Sequence, residues 1–215
     1  MKRIFTIQSL LLAMLLLAGT SVRAQDDEPA PRIHITVGPK IGLNLSKLDG
    51  QSWDGGYKTN LLGGAWLGVI GSRFGIQIEG LFSQTTYTTG QDFNTIYRQY
   101  IQAGKDSLKG GAFRVNYFNI PLLAQIRILN RVWLQIGPQY SGIVSVKDKD
   151  NFVKDATGLF SSGSVSGVAG LWIDVTRHLN IGARYVQGFS NLSDVKDVSE
   201  KWKMRDVQVH LGYRF

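Results

Sequence analysis

Asp206-Val207-Gln208-Val209-His210-Leu211-Gly212-Tyr213-Arg214-Phe215 is the stretch whose reading decides the fold. Val207, Val209, Leu211, Tyr213 and Phe215 share one parity; Gln208, His210, Gly212 and Arg214 share the other. Successive side chains of a strand point to opposite faces, so the segment has one apolar and one polar face. A strand of about ten residues with aromatics at its tip fits one that crosses a bilayer and ends at its interface.

The first 24 residues match that expectation. Lys2 and Arg3 precede an apolar run from Ile4 to Ala18, and Gly19-Thr20-Ser21-Val22-Arg23-Ala24 follows. A basic start, a short apolar centre and a small residue at the cut site predict a secretory signal peptide over 1–24. Residues 25–32, which open Gln-Asp-Asp-Glu-Pro-Ala-Pro, read as a polar periplasmic linker, and 33–215 as one barrel domain. The chain lacks cysteine, which excludes disulfides, thiolate metal sites and a cysteine nucleophile. Three of its eight net positive charges lie in the leader, and the rest are scattered without a basic helix. No nucleic-acid partner is expected.

From His34 onward eight alternating segments follow, near 33–46, 60–70, 73–88, 112–128, 131–146, 164–175, 178–190 and 206–215. In the fourth, Phe118, Ile120 and Leu122 have one phase but Phe113, Val115 and Tyr117 the other, which predicts a bulge near Asn116–Phe118. Gly71-Ser72, Leu129-Asn130 and Thr176-Arg177 read as tight hairpin turns. Long polar segments near 47–59, 89–111, 147–163 and 191–202 alternate with them. Short turns on one side and long loops on the other predict an all-β fold, an eight-stranded antiparallel up-and-down transmembrane β-barrel.

Alternation alone does not say which face points inward, because a soluble barrel would enclose its apolar face. The glycines decide. Gly38, Gly42, Gly75, Gly137, Gly170, Gly182 and Gly212 share the phase of the polar residues. A crowded lumen needs small residues and open solvent does not, so the polar face is expected inside. Lys40, Glu79, Arg127, Asp174, Arg184 and Arg214 would then form a luminal polar network, since buried charges must be paired.

Gly38-Pro39-Lys40-Ile41-Gly42-Leu43-Asn44-Leu45-Ser46, Tyr117-Phe118-Asn119-Ile120-Pro121-Leu122-Leu123 and Gly182-Ala183-Arg184-Tyr185-Val186-Gln187-Gly188-Phe189 carry a resemblance. They resemble the outer-membrane β-barrel family of Bacteroidota, often labelled porin family or PorT-like. The resemblance spans about 33–215 and implies an outer-membrane barrel whose Tyr213 and Phe215 serve as an assembly signal read by a barrel-insertion machinery; it brings no catalytic residues with it.

His34, His178 and His210 are not accompanied by a G-x-S-x-G elbow, an H-E-x-x-H motif or paired carboxylates. No catalytic group, metal or cofactor is expected. The expected role is a structural or interaction platform in contact with outer-membrane lipid, lipopolysaccharide and a surface or secretion partner. Three other roles share the fold: a small-solute channel, a PorT-like secretion component and a lipid-A-modifying enzyme. An eight-stranded interior has room only for side chains, which disfavours a wide pore.

One stretch changes period. Phe93, Ile96, Tyr97, Tyr100 and Ile101 recur at the spacing of one helical face, with Asp92 placed to cap and Gly104 to terminate. The spacing predicts a helix of about three turns, either a lid on the barrel mouth or a docking face for a partner.

Overall fold

A computed structural model describes residues 33–104, 111–195 and 198–215. The segments read as signal peptide and linker lie outside the described residues. Eight strands form one closed antiparallel barrel in sequence order: β1 His34–Asp49, β2 Lys58–Ile70, β3 Phe74–Thr88, β4 Ala112–Leu129, β5 Val132–Asp148, β6 Gly163–Asp174, β7 Leu179–Gly188 and β8 Lys203–Tyr213. The last strand closes on the first, with Lys40 opposite Gly212 and Asn44 opposite Gln208. Closure leaves no unpaired sheet edge, the condition for strands to stand in lipid.

The apolar parity points outward. Ile35, Ile41, Leu61, Ile76, Phe82, Ile136, Val165, Leu171 and Val209 are exposed around the wall, while Lys40, Gln77, Glu79, Gln125, Arg184 and Gln208 are buried inside it. The luminal glycines are required by close approach of neighbouring strands. A Cβ at Gly38 would lie 1.7 Å from the Tyr213 carbonyl oxygen, and one at Gly170 would lie 2.4 Å from the Arg184 Cβ. Any larger residue there would push two strands apart.

The expected bulge falls where the sequence places it, between Asn116 and Tyr117, but it is not a phase change of β4. β4 keeps one phase throughout, with Phe113, Val115, Tyr117, Asn119, Leu123 and Gln125 all buried inside. Its irregularity lies on the partner strand. Asn116 pairs with Ser145 and Tyr117 with Ile143, so Val144 of β5 is the extra residue. The apparent phase change on β4 arises because the lumen changes from polar to apolar toward the loops, so apolar residues occupy inward positions there.

Four loops join the strands at one end: L1 (50–57), L2 (89–111), L3 (149–162) and L4 (189–202). The three tight turns and the start of β1 lie at the other, short-turn end. The predicted three-turn helix is also corrected. L2 contains a single helical turn, α1 (Phe93–Ile96), followed by a 3-10 turn at Arg98–Tyr100, and the Asp92 side chain makes no capping hydrogen bond. Burial of Phe93, Tyr97 and Ile101 beneath the loops shapes this segment more strongly than its local period.

Candidate functional site

The barrel interior has three strata. At the short-turn end, Trp66, Trp133 and Trp172 form a buried cluster with Ile70. Asp174 anchors it: one carboxylate oxygen accepts the Trp172 indole N–H at 3.1 Å, the other accepts that of Trp133 at 3.1 Å, and Arg214 donates to it at 2.8 Å. Each strand places its tryptophan on the inward parity, where a small or polar residue would otherwise stand. Three large rings therefore fill one cross-section of a narrow barrel.

The middle stratum is ionic. The Glu79 carboxylate pairs with Lys40 on one oxygen and, on the other, accepts from Arg184 Nη1 at 2.7 Å. All three side chains are fully buried. Arg184 Nε also donates to Gln208 Oε1 at 2.6 Å, and the Lys40 ammonium lies 4.6 Å from the Trp172 ring centroid. Gln125 donates to Gln77 at 2.7 Å, and Gln77 donates to Glu79. Two cations share one carboxylate, with amide side chains supplying further partners. This is how buried charge persists in a low-dielectric interior.

The top stratum is apolar and is completed by the loops. Trp53 of L1 meets Trp202 of L4 edge-on at 4.9 Å and Phe93 of L2 at 5.6 Å. It also lies against Phe113 of β4 at 5.7 Å and Phe160 of L3 at 6.0 Å. Phe93, Tyr97, Phe152, Leu192 and Trp202 are fully buried with them.

Polar links join the same loops into a ring. Isolated β-bridges connect Trp53 with Thr89, Ile101 with Val153, and Phe160 with Ser193. The remaining gap, between L4 and L1, is spanned by Glu200, which accepts from the Ser52 amide at 2.8 Å and its hydroxyl at 2.7 Å. Tyr97 of L2 donates to the same carboxylate at 2.9 Å. Partial burial opposes ionisation of Glu200, but the donors from Ser52 and Tyr97 outweigh it and hold the carboxyl below its ordinary value. Burial, and then the bond to Glu200, push the Tyr97 hydroxyl well above its own.

The residues expected as a luminal network thus separate into groups. Lys40, Glu79 and Arg184 meet in the centre, and Asp174 and Arg214 pair at the short-turn mouth. Arg127 belongs to neither. It is exposed at the rim, its guanidinium 4.4 Å from the Trp133 ring centroid, because β4 has reached its end there. Asp206, buried on the inward parity of β8, was missed although the alternation of the quoted strand marks it.

The five residues expected as a loop interaction face point largely into the cap. Phe93, Tyr97 and Ile101 are buried, and Ile96 and Tyr100 are packed against them. Folding over the barrel mouth gives their apolar surface a partner within the chain, so they do not form an outward face. Tyr213 and Phe215 lie on the outer surface with their rings edge-on at 5.3 Å. Among the described residues no group of three or more His, Asp or Glu side chains is placed to hold a metal ion.

Among curated proteins none matches the sequence. Among solved structures, the chain is similar to the attachment invasion locus protein Ail of Yersinia pestis at 19% identity and TM-score 0.42, covering 84% of this chain and 98% of that one. It is similar to Neisserial surface protein A at 10% identity and TM-score 0.46, covering 86% and 99%. A third similarity is to OprG from Pseudomonas aeruginosa, at 13% identity and TM-score 0.45, covering 84% and 95%. The family described as outer membrane protein beta-barrel domain matches residues 23–194. That match covers most of a chain whose strands close into a barrel with a lipid-compatible outer wall: the protein belongs to this family of bacterial outer-membrane β-barrels.

Proposed function

We propose that this barrel is a closed, non-catalytic platform, which presents the outer surface of its four-loop cap to a surface or secretion partner. One observation carries the reading: L1 to L4 are linked in a ring over an apolar plug. Loops that only lined a channel mouth would gain nothing from burying their largest side chains against one another. Ordering them lowers the entropy cost of later binding at their outer face. The central ion cluster and the tryptophan layer fill the cross-sections below, which argues against a small-solute path through the same lumen.

The platform would sit among outer-membrane lipid and lipopolysaccharide, with Tyr213 and Phe215 offered to the insertion machinery during assembly. The finer kinship to PorT-like secretion components is part of the proposal and shares its test. The test combines planar-bilayer recording with pull-down from native outer membranes. A silent bilayer and a partner lost on substituting exposed cap residues such as Arg98 and Lys201 support the platform. Discrete single-channel steps from the purified wild-type barrel would overturn it.

A further inference from the structure

The short-turn rim carries an unbalanced charge. Among the described residues at this end, Arg73, Arg127, Arg131, Arg177 and Arg214 stand against a single acidic side chain, Asp174, and Arg214 already occupies it. Three of these arginines converge. Arg73 from the β2–β3 turn, Arg127 from the end of β4 and Arg131 from the β4–β5 turn line one groove of about 890 Å³ together with Ser72, Ile128 and Leu129.

The geometry is fixed by backbone and ring contacts. The Arg127 amide donates to the Arg73 carbonyl at 2.8 Å, and the Arg127 guanidinium is held over Trp133. All three arginine side chains are exposed and none is ion-paired to an acidic residue of the described chain. The groove is also two-sided. Ile128 is 50% exposed, Leu129 66% and the neighbouring Phe74 67%, so it runs directly into the apolar wall.

We propose that this groove is a binding site for an anionic phospholipid of the leaflet that meets the short-turn end. The arginine forks would hold the headgroup phosphate, and one acyl chain would lie along Phe74, Ile128 and Leu129. Guanidinium groups match phosphate oxygens bidentately, and basic residues beside a membrane attract anionic headgroups. In outer-membrane barrels the short turns are periplasmic, so the phosphates within reach are those of phospholipids and not those of lipopolysaccharide. The apolar half of the groove separates this ligand from a free anion. Placing the site beside Trp133 would couple a bound lipid to the tryptophan layer that closes the lumen.

The experiment is native mass spectrometry of the purified full barrel titrated with phosphatidylglycerol, phosphatidylcholine or inorganic phosphate. The wild type should retain phosphatidylglycerol in preference to phosphatidylcholine. The triple variant R73Q/R127Q/R131Q should lose that preference by at least about tenfold, in line with roughly 1 kcal/mol per basic residue near a membrane surface. K149Q/K201Q/K203Q, altered at the opposite end, should bind as the wild type does. Heat-modifiable gel migration confirms that each variant is folded.

Unchanged retention by the folded triple variant would overturn the site, as would loss of equal size in the control. Displacement of the lipid by equimolar inorganic phosphate would overturn the lipid in favour of a simple anion site.

Discussion

Glu79 on β3 and Arg184 on β7 meet at 2.7 Å in the centre of the barrel, although 105 residues separate them. Lys40 of β1 shares the same carboxylate. Three strands from different parts of the wall are thereby tied across the lumen. Among the described residues this carboxylate is the acidic group ion-paired to both cations.

Removing that carboxylate should therefore cost more than removing one cation. E79Q is expected to destabilise the barrel by about 3–5 kcal/mol, because it leaves two like charges buried together. The triple replacement K40M/E79L/R184M should recover much of the loss, since an apolar filling leaves no charge uncompensated. Urea unfolding in lipid vesicles, followed by gel mobility, measures both. An E79Q barrel as stable as the wild type would contradict the lock.

The cap should respond to acid through Glu200. Its folded carboxyl lies below its ordinary value, so the stabilisation is fully present above the unfolded pKa. It is lost as pH falls through the folded value, where a protonated Glu200 no longer accepts from Ser52 and Tyr97. Hydrogen exchange in L1, L2 and L4 should accelerate on acidification while the strands stay protected. E200Q should flatten this dependence and weaken the L4–L1 link at neutral pH.

Truncating the plug tests whether the loops act as one unit. Phe93→Ala and Trp202→Ala each remove a fully buried ring and should destabilise the cap by about 3–5 kcal/mol. Limited proteolysis should then cut several loops at once, because Trp53 touches residues from all of the other three. Neither variant should conduct, since the ion cluster below is untouched. Cleavage confined to the substituted loop would show that the ring is not cooperative.

Strand closure depends on the glycines facing inward. Gly137→Ala would place a Cβ 2.0 Å from the Leu122 carbonyl oxygen, in backbone that cannot move aside without breaking β4–β5 pairing. The yield of heat-modifiable, folded barrel should fall severalfold. Gly55→Ala in L1, where a Cβ meets nothing within 4 Å, is the control and should fold normally.

Phe215→Ser checks the proposed assembly signal. The ring is 75% exposed and meets Tyr213 edge-on, so folded stability should change by less than about 1 kcal/mol. Insertion into the membrane in cells should nevertheless fall, with the chain lost to periplasmic proteases. Wild-type levels of inserted barrel would remove the signal.

The strands, their order and the sidedness of turns and loops were all legible locally, because a period of two is a property of neighbouring residues. Gly38 and Gly170 even disclosed which face was inside, since only a crowded interior excludes a side chain. Phe113, Val115 and Tyr117 show where local reading stops. Their apolar character is the same whether it meets lipid or a plug, and only the loops folding over the mouth make the inward position favourable. The shortened α1 has the same origin, because tertiary burial of Phe93 and Tyr97 overrides a weak helical period. The residue types in Lys40, Glu79 and Arg184 announced a need for partners, but pairing across 105 residues is set by barrel closure and register. The arginines of the short-turn rim converge for a simpler reason: pairing of β3 with β4 sets the β2–β3 turn beside the end of β4, a neighbourhood that strand register decides and local sequence does not.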